Sequence, residues 1–157
     1  MSPDSGGLRP GLATAFAVVG FGALAICGLG VTSLVTATDV VAVRGLGPVP
    51  GAVGFAAALL AVAVGIATGL RRTHPSYLLA VPVGLGAVVA YLAALTVAAW
   101  AIGVDPARAV AAAGEFALSW FAVVLLLSAA AAAWTGVALV RTRAHPPRWR
   151  WESDDDR

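Results

Sequence analysis

Three carboxylates beside long apolar runs, Asp39, Asp105 and Glu115, and one histidine, His74, have the side-chain types that acid–base catalysis or metal binding needs. Proton transfer requires its donor and acceptor in one cleft. A metal requires three or four ligands about one point. His74 lies in a different loop from the acids, across the apolar segments described below, so the four residues do not converge. The single cysteine, Cys27, excludes an internal disulfide and any Cys-x-x-Cys pair. In RGLGPVPG, residues 44–51, Gly45 and Gly47 begin a phosphate-loop match, but Pro50 takes its last glycine position and no strand precedes it. Ser33, Ser119 and Ser128 have no neighbouring base to activate them. The expectation is a protein that is not an enzyme, with no cofactor and no metal.

One polar constellation is left. Thr32, Ser33 and Thr36 gather with Asp39 at one end of the first apolar run, and Thr32 and Thr36 share a helix face at spacing four. Such hydroxyls can line a wet vestibule, or they can return a hydrogen bond to the carbonyl four residues earlier.

The elements that carry these residues follow from charge. The chain has 157 residues, of which 60% are hydrophobic and 11% charged. That is less than half the charge of an ordinary soluble domain, and no soluble core of this length absorbs so much apolar surface. No Asp, Glu, Lys or Arg occurs between Arg9 and Asp39, from Gly45 to Leu70, from Thr73 to Val104, or from Phe116 to Val140. Each gap exceeds the ~20 residues a helix needs to cross a bilayer. The reading is an all-α, integral membrane four-helix bundle with spans over about 13–37, 51–70, 77–102 and 116–140. A tail of residues 1–12 precedes the bundle and one of 141–157 follows it. Asp105-Pro106 reads as a helix N-cap with proline at the first helical position, which starts a short interfacial helix that Gly114 ends or kinks.

All ten basic residues are arginine. Arg9, Arg71, Arg72, Arg141, Arg143, Arg148, Arg150 and Arg157 fall on one side of the four spans; Arg44 and Arg108 fall on the other. By the positive-inside rule both termini are cytoplasmic. Tyr77 and Trp134 mark the inner aromatic belt, Trp100 and Trp120 the outer one. The uncharged first run is too long for a signal-peptide core, and LAIC (24–27) has isoleucine where a lipidation box needs a small residue. After His145-Pro146-Pro147, the run Arg148-Trp149-Arg150-Trp151 reads as an interfacial anchor, its indoles in the headgroup layer and its arginines on lipid phosphates. The adjacent Asp154, Asp155 and Asp156 argue against nucleic acid as a partner.

None of the four spans holds Asp, Glu, Lys, Arg or His, the residues that mark proton relays, coupled transport and voltage sensing. Small residues at spacing four do stand out: Ala57, Ala61, Gly65 and Gly69 on the second helix, Gly86, Ala90, Ala94 and Ala98 on the third. Ridges of this kind let helix backbones approach closely, either inside the bundle or between copies. Pro82, near Gly84 and Gly86, can loosen the start of the third helix.

The hydrophobic layout and the Ala/Gly/Val/Arg usage resemble small four-helix integral membrane proteins of unknown function from GC-rich actinobacteria. The resemblance implies a multi-pass protein of a bacterial cytoplasmic (inner) membrane, and it carries no functional residues. The expected function is that of a structural or accessory subunit acting through helix packing. Its partners are the lipid bilayer and either a homo-oligomer or another membrane protein. The alternative is an oligomeric passive pore, or an uncoupled carrier, for a small neutral solute.

Overall fold

The computed structural model describes residues 10–38, 47–71 and 76–142. Its helices are α1 (Pro10–Thr36), α2 (Val49–Leu70), α3 (Ala80–Ala101), α4 (Pro106–Ala117) and α5 (Trp120–Thr142), with a 3-10 turn over Tyr77–Leu79 leading into α3. No strand occurs among the described residues. Four helical stretches are long and apolar enough to cross a membrane: Gly11–Thr36, Val49–Leu70, Tyr77–Ala101 and Trp120–Arg141.

Prolines sit where a missing N–H is harmless. Pro10 opens α1, Pro50 is the second residue of α2, and Pro106 opens α4. Pro82 lies two residues into α3, so it does not break the helix. It cannot donate to the carbonyl of Leu78, and the tighter 3-10 turn just before it is closed by the Ala80 N–H donating to the Tyr77 carbonyl.

Neighbouring long helices run antiparallel. Phe21 of α1 stacks on Phe55 of α2, with ring centroids 6.1 Å apart. A Cβ at Gly54 or Gly65 of α2 would meet Tyr91 or Val83 of α3; one at Gly84 of α3 would meet Leu126 and Ala130 of α5. Across the α1–α5 pair, a Cβ at Gly28 of α1 would meet Val124 of α5, and one at Gly136 of α5 would meet Ala17 of α1. The long helices thus close a ring in the order α1, α2, α3, α5, with α2 and α5 touching across its centre where Gly136 meets Ile66.

Each long helix turns one row toward that centre. The rows are Ala13, Ala17, Phe21 and Ala25; Ala58, Val62, Ile66 and Leu70; Val83, Ala87, Tyr91, Leu95 and Ala99; Leu125, Ala129, Ala133 and Val137. The spacing is four throughout, so i±4 ridges meet. Outside the rows, large apolar side chains are left uncovered on every long helix, among them Val19, Leu34, Leu60, Val89 and Leu127.

The last span departs from expectation. Helix continues through Gly114 to Ala117 and breaks at Leu118–Ser119, so 116–140 is not one uninterrupted helix. Gly114 needs no special backbone angle and leaves the helix intact. Ser119 makes the break: its hydroxyl donates to the carbonyl of Phe116 at 2.7 Å, and its N–H donates to the same oxygen at 3.0 Å. That capture supplies the partners a backbone at such a break must find. Upstream, Gly103 adopts φ +86, a left-handed turn that folds α4 back along α3.

Asp105 caps α4 as the Asp-Pro pair predicts, its carboxylate accepting the N–H of Ala107 at 3.0 Å and of Arg108 at 3.3 Å. Replacing Asp105 with alanine should cost α4 about 1 kcal/mol. The loss should appear as faster hydrogen exchange confined to the first turn of α4. Unchanged exchange there would mean that packing, not the cap, holds that turn.

Candidate functional site

The hydroxyls of the α1 cluster bond within α1 and to the residues just after it. Thr32 donates to the Gly28 carbonyl at 2.7 Å and Thr36 to the Thr32 carbonyl at 2.7 Å. Ser33 reaches the Thr38 carbonyl at 2.7 Å, and the hydroxyls of Thr36 and Thr38 lie 2.6 Å apart. These residues stand beyond Ala25, the outermost member of the α1 core row, and are half-buried or exposed. Asp39, Arg44 and His74 lie outside the described residues, as does the tail with Arg148, Trp149, Arg150 and Trp151. Asp105 serves as a cap and Glu115 is exposed on α4. No group of three His, Cys, Asp or Glu able to hold a metal occurs among the described residues.

The small-residue ridges fall beside the core rows. On α2, Gly65 and Gly69 face α3 of the same chain: an added Cβ would lie 3.0 Å from Val83 Cγ2 at Gly65, and would overlap the Leu79 side chain at Gly69. Ala57 and Ala61 are half-buried one residue ahead of Ala58 and Val62. On α3, Ala90, Ala94 and Ala98 are likewise half-buried one residue ahead of Tyr91, Leu95 and Ala99, while Gly86 is exposed with nothing within 4 Å of its Cβ position.

Three features escaped the sequence reading. The first is Tyr91, midway along α3 and 1% exposed. Its ring stacks on Phe116 of α4, centroids 4.2 Å apart and planes 24° from parallel, over the bare backbone of Gly54. A tyrosine in mid-span instead of a belt position was the available signal. The second is a cleft of about 190 Å³ between α3 and α4, lined by Thr96, Val97, Trp100, Pro106, Ala109 and Val110 and almost wholly apolar. The third sits at the opposite end, where the Arg141 guanidinium carbon lies 5.0 Å from the centroid of the Tyr77 ring and Trp134 packs on that ring at 5.5 Å.

Ser128, 8% exposed on α5, is the one polar residue among the buried described side chains, so the ring of helices is filled by hydrocarbon and aromatic groups.

No curated protein matches the chain. No solved structure does either. A family of unknown function, DUF6121, matches residues 11–157, nearly the full length, and the chain belongs to that family.

Proposed function

We propose that this chain is a non-enzymatic, multi-pass protein of a bacterial inner membrane, with both termini cytoplasmic, that serves as a structural or accessory subunit. One observation carries the reading: four apolar helices close on a filled seam with no buried Asp, Glu, Lys, Arg or His among the described residues, while large apolar residues cover their outer faces. A seam of this kind gives neither a proton relay nor a hydrated path. The outer faces suit lipid and, where another helix displaces lipid, a partner. Since Val83 of α3 covers Gly65 and Leu79 of the 3-10 turn covers Gly69, a partner would bind elsewhere, on an uncovered helix face.

Native mass spectrometry after gentle extraction tests the proposal. The expected result is a discrete assembly, holding either a second polypeptide or a whole number of copies. A bare monomer that confers solute flux on proteoliposomes would overturn it. Leucine at Gly65 and Gly69 should lower the stability of the single chain and leave the stoichiometry of the surviving assembly unchanged.

A further inference from the structure

We infer that the end of the bundle carrying Arg141 holds a binding site for one anionic glycerophospholipid, with its phosphate at Arg141 and its acyl chain in the groove between α3 and α5. The inference rests on the membrane-spanning part of the proposed function, not on the subunit role.

The headgroup end comes first. Arg141 is exposed and its guanidinium lies over Tyr77, 5.0 Å from the ring centroid. A guanidinium attracted to a ring face through its charge does not spend its N–H donors on that contact, and their planar fork suits a phosphodiester. No carboxylate among the described residues competes for those donors: Asp105 caps α4 and Glu115 lies on it, at the opposite end of the bundle. Tyr77 and Trp134, 37% and 56% exposed, pack ring to ring beside it and carry a phenol hydroxyl and an indole N–H.

The acyl path follows from helix register. Leu127, Trp134 and Arg141 recur at spacing seven, so they share one face of α5 over four turns. That face borders α3, because Leu126 and Ala130 beside it meet Gly84. On the α3 side of the same border, Tyr77, Val81 and Leu85 recur at spacing four. Val81, Leu85 and Leu127 are each more than half exposed. The ring pair Tyr77–Trp134 therefore stands at the mouth of an apolar strip flanked by both helices. A cation at the mouth and hydrocarbon below it match the two ends of one phospholipid.

The test begins with alkaline carbonate extraction of native membranes. Release of the protein there would sink the spanning reading, separately from the site. The protein is then reconstituted in vesicles of equal parts dioleoyl phosphatidylglycerol and dioleoyl phosphatidylcholine, released, and weighed with its retained lipid by native mass spectrometry. Wild type should retain the anionic lipid over the zwitterionic one by about fivefold. Arg141→Gln should bring the ratio to parity. Tyr77→Leu, which removes the platform and leaves the charge, should lower it part of the way, and circular dichroism checks that each variant is folded. Equal retention by wild type, or unchanged selectivity in folded Arg141→Gln, overturns the site. A large excess of inorganic phosphate should leave the lipid in place; if it strips the lipid, the site is one for free anions and the proposal fails.

Discussion

Replacing Gly54 with leucine should separate α2 from α3 and cost the fold about 3 kcal/mol or more, near the upper end of what overpacking does in a dense interior. Even a Cβ at this position lies 3.1 Å from Tyr91 Cδ2, 3.1 Å from Cε2 and 3.1 Å from the Tyr91 carbonyl oxygen. The oxygen is helix backbone and cannot rotate away. The ring has no retreat either, because Phe116 covers it at 4.2 Å. Gly54→Ala should therefore cost about 1 kcal/mol, since the neighbours must yield by a few tenths of an ångström. Among apolar helices in lipid, association depends on close contact instead of expulsion of water, so lost contact is not offset by burial elsewhere. Gly86→Leu is the matched control: nothing lies within 4 Å of its Cβ position and it faces outward. The measurement is the thermal midpoint of the purified protein in mild detergent, followed by circular dichroism and by size exclusion. If Gly54→Leu melts with Gly86→Leu and wild type, α2 and α3 are not held by close backbone approach.

The same comparison shows what the sequence could and could not disclose. The four long apolar helices were legible because a charge cannot be hidden in a long apolar run, and Arg9, Arg71, Asp105 and Arg141 bracket them. The spacing of four was legible too, in Ala57, Ala61, Gly65 and Gly69. Its phase was not. In water the polar face of a helix tells which side is buried; here apolar residues circle each long helix, and Val62 on the seam looks like Val64 on the exterior. Periodicity without polar contrast leaves rotation about the helix axis undetermined. Helix α4 is the exception: Ala109, Ala112 and Phe116 face inward while Arg108 and Glu115 face out. The break at Leu118–Ser119 was hidden for another reason. A serine in a span ordinarily bonds back four residues within an intact helix, as the threonines of α1 do, whereas Ser119 captures the carbonyl three residues back and ends a turn.

That break makes α4 a separable piece, and Phe116→Ala should release it. Of the three residues that α4 buries, Ala109 and Ala112 are small, so Phe116 supplies most of the contact that holds the helix against α3. Phe116 is 4% exposed and lies against Tyr91. Truncating a buried phenylalanine costs about 3–5 kcal/mol. Here the loss should fall on local detachment rather than global unfolding, because the helix is joined to its neighbours only through the Gly103 turn and the Leu118–Ser119 break. A cysteine at position 112 reports the event, after Cys27, which is exposed, is changed to serine. Ala112 is 3% exposed, so a thiol there is protected while α4 is docked. Its labelling by a water-soluble maleimide should accelerate about a hundredfold in Phe116→Ala, the population change that ~3 kcal/mol produces. Tyr91→Phe keeps both rings and should label at the starting rate. The thermal midpoint of Phe116→Ala should fall less than that of Gly54→Leu, since the four long helices keep their seam. Slow labelling in Phe116→Ala would show that the ring pair is not what docks α4, and would move that role to the contacts around Trp100 and Pro106.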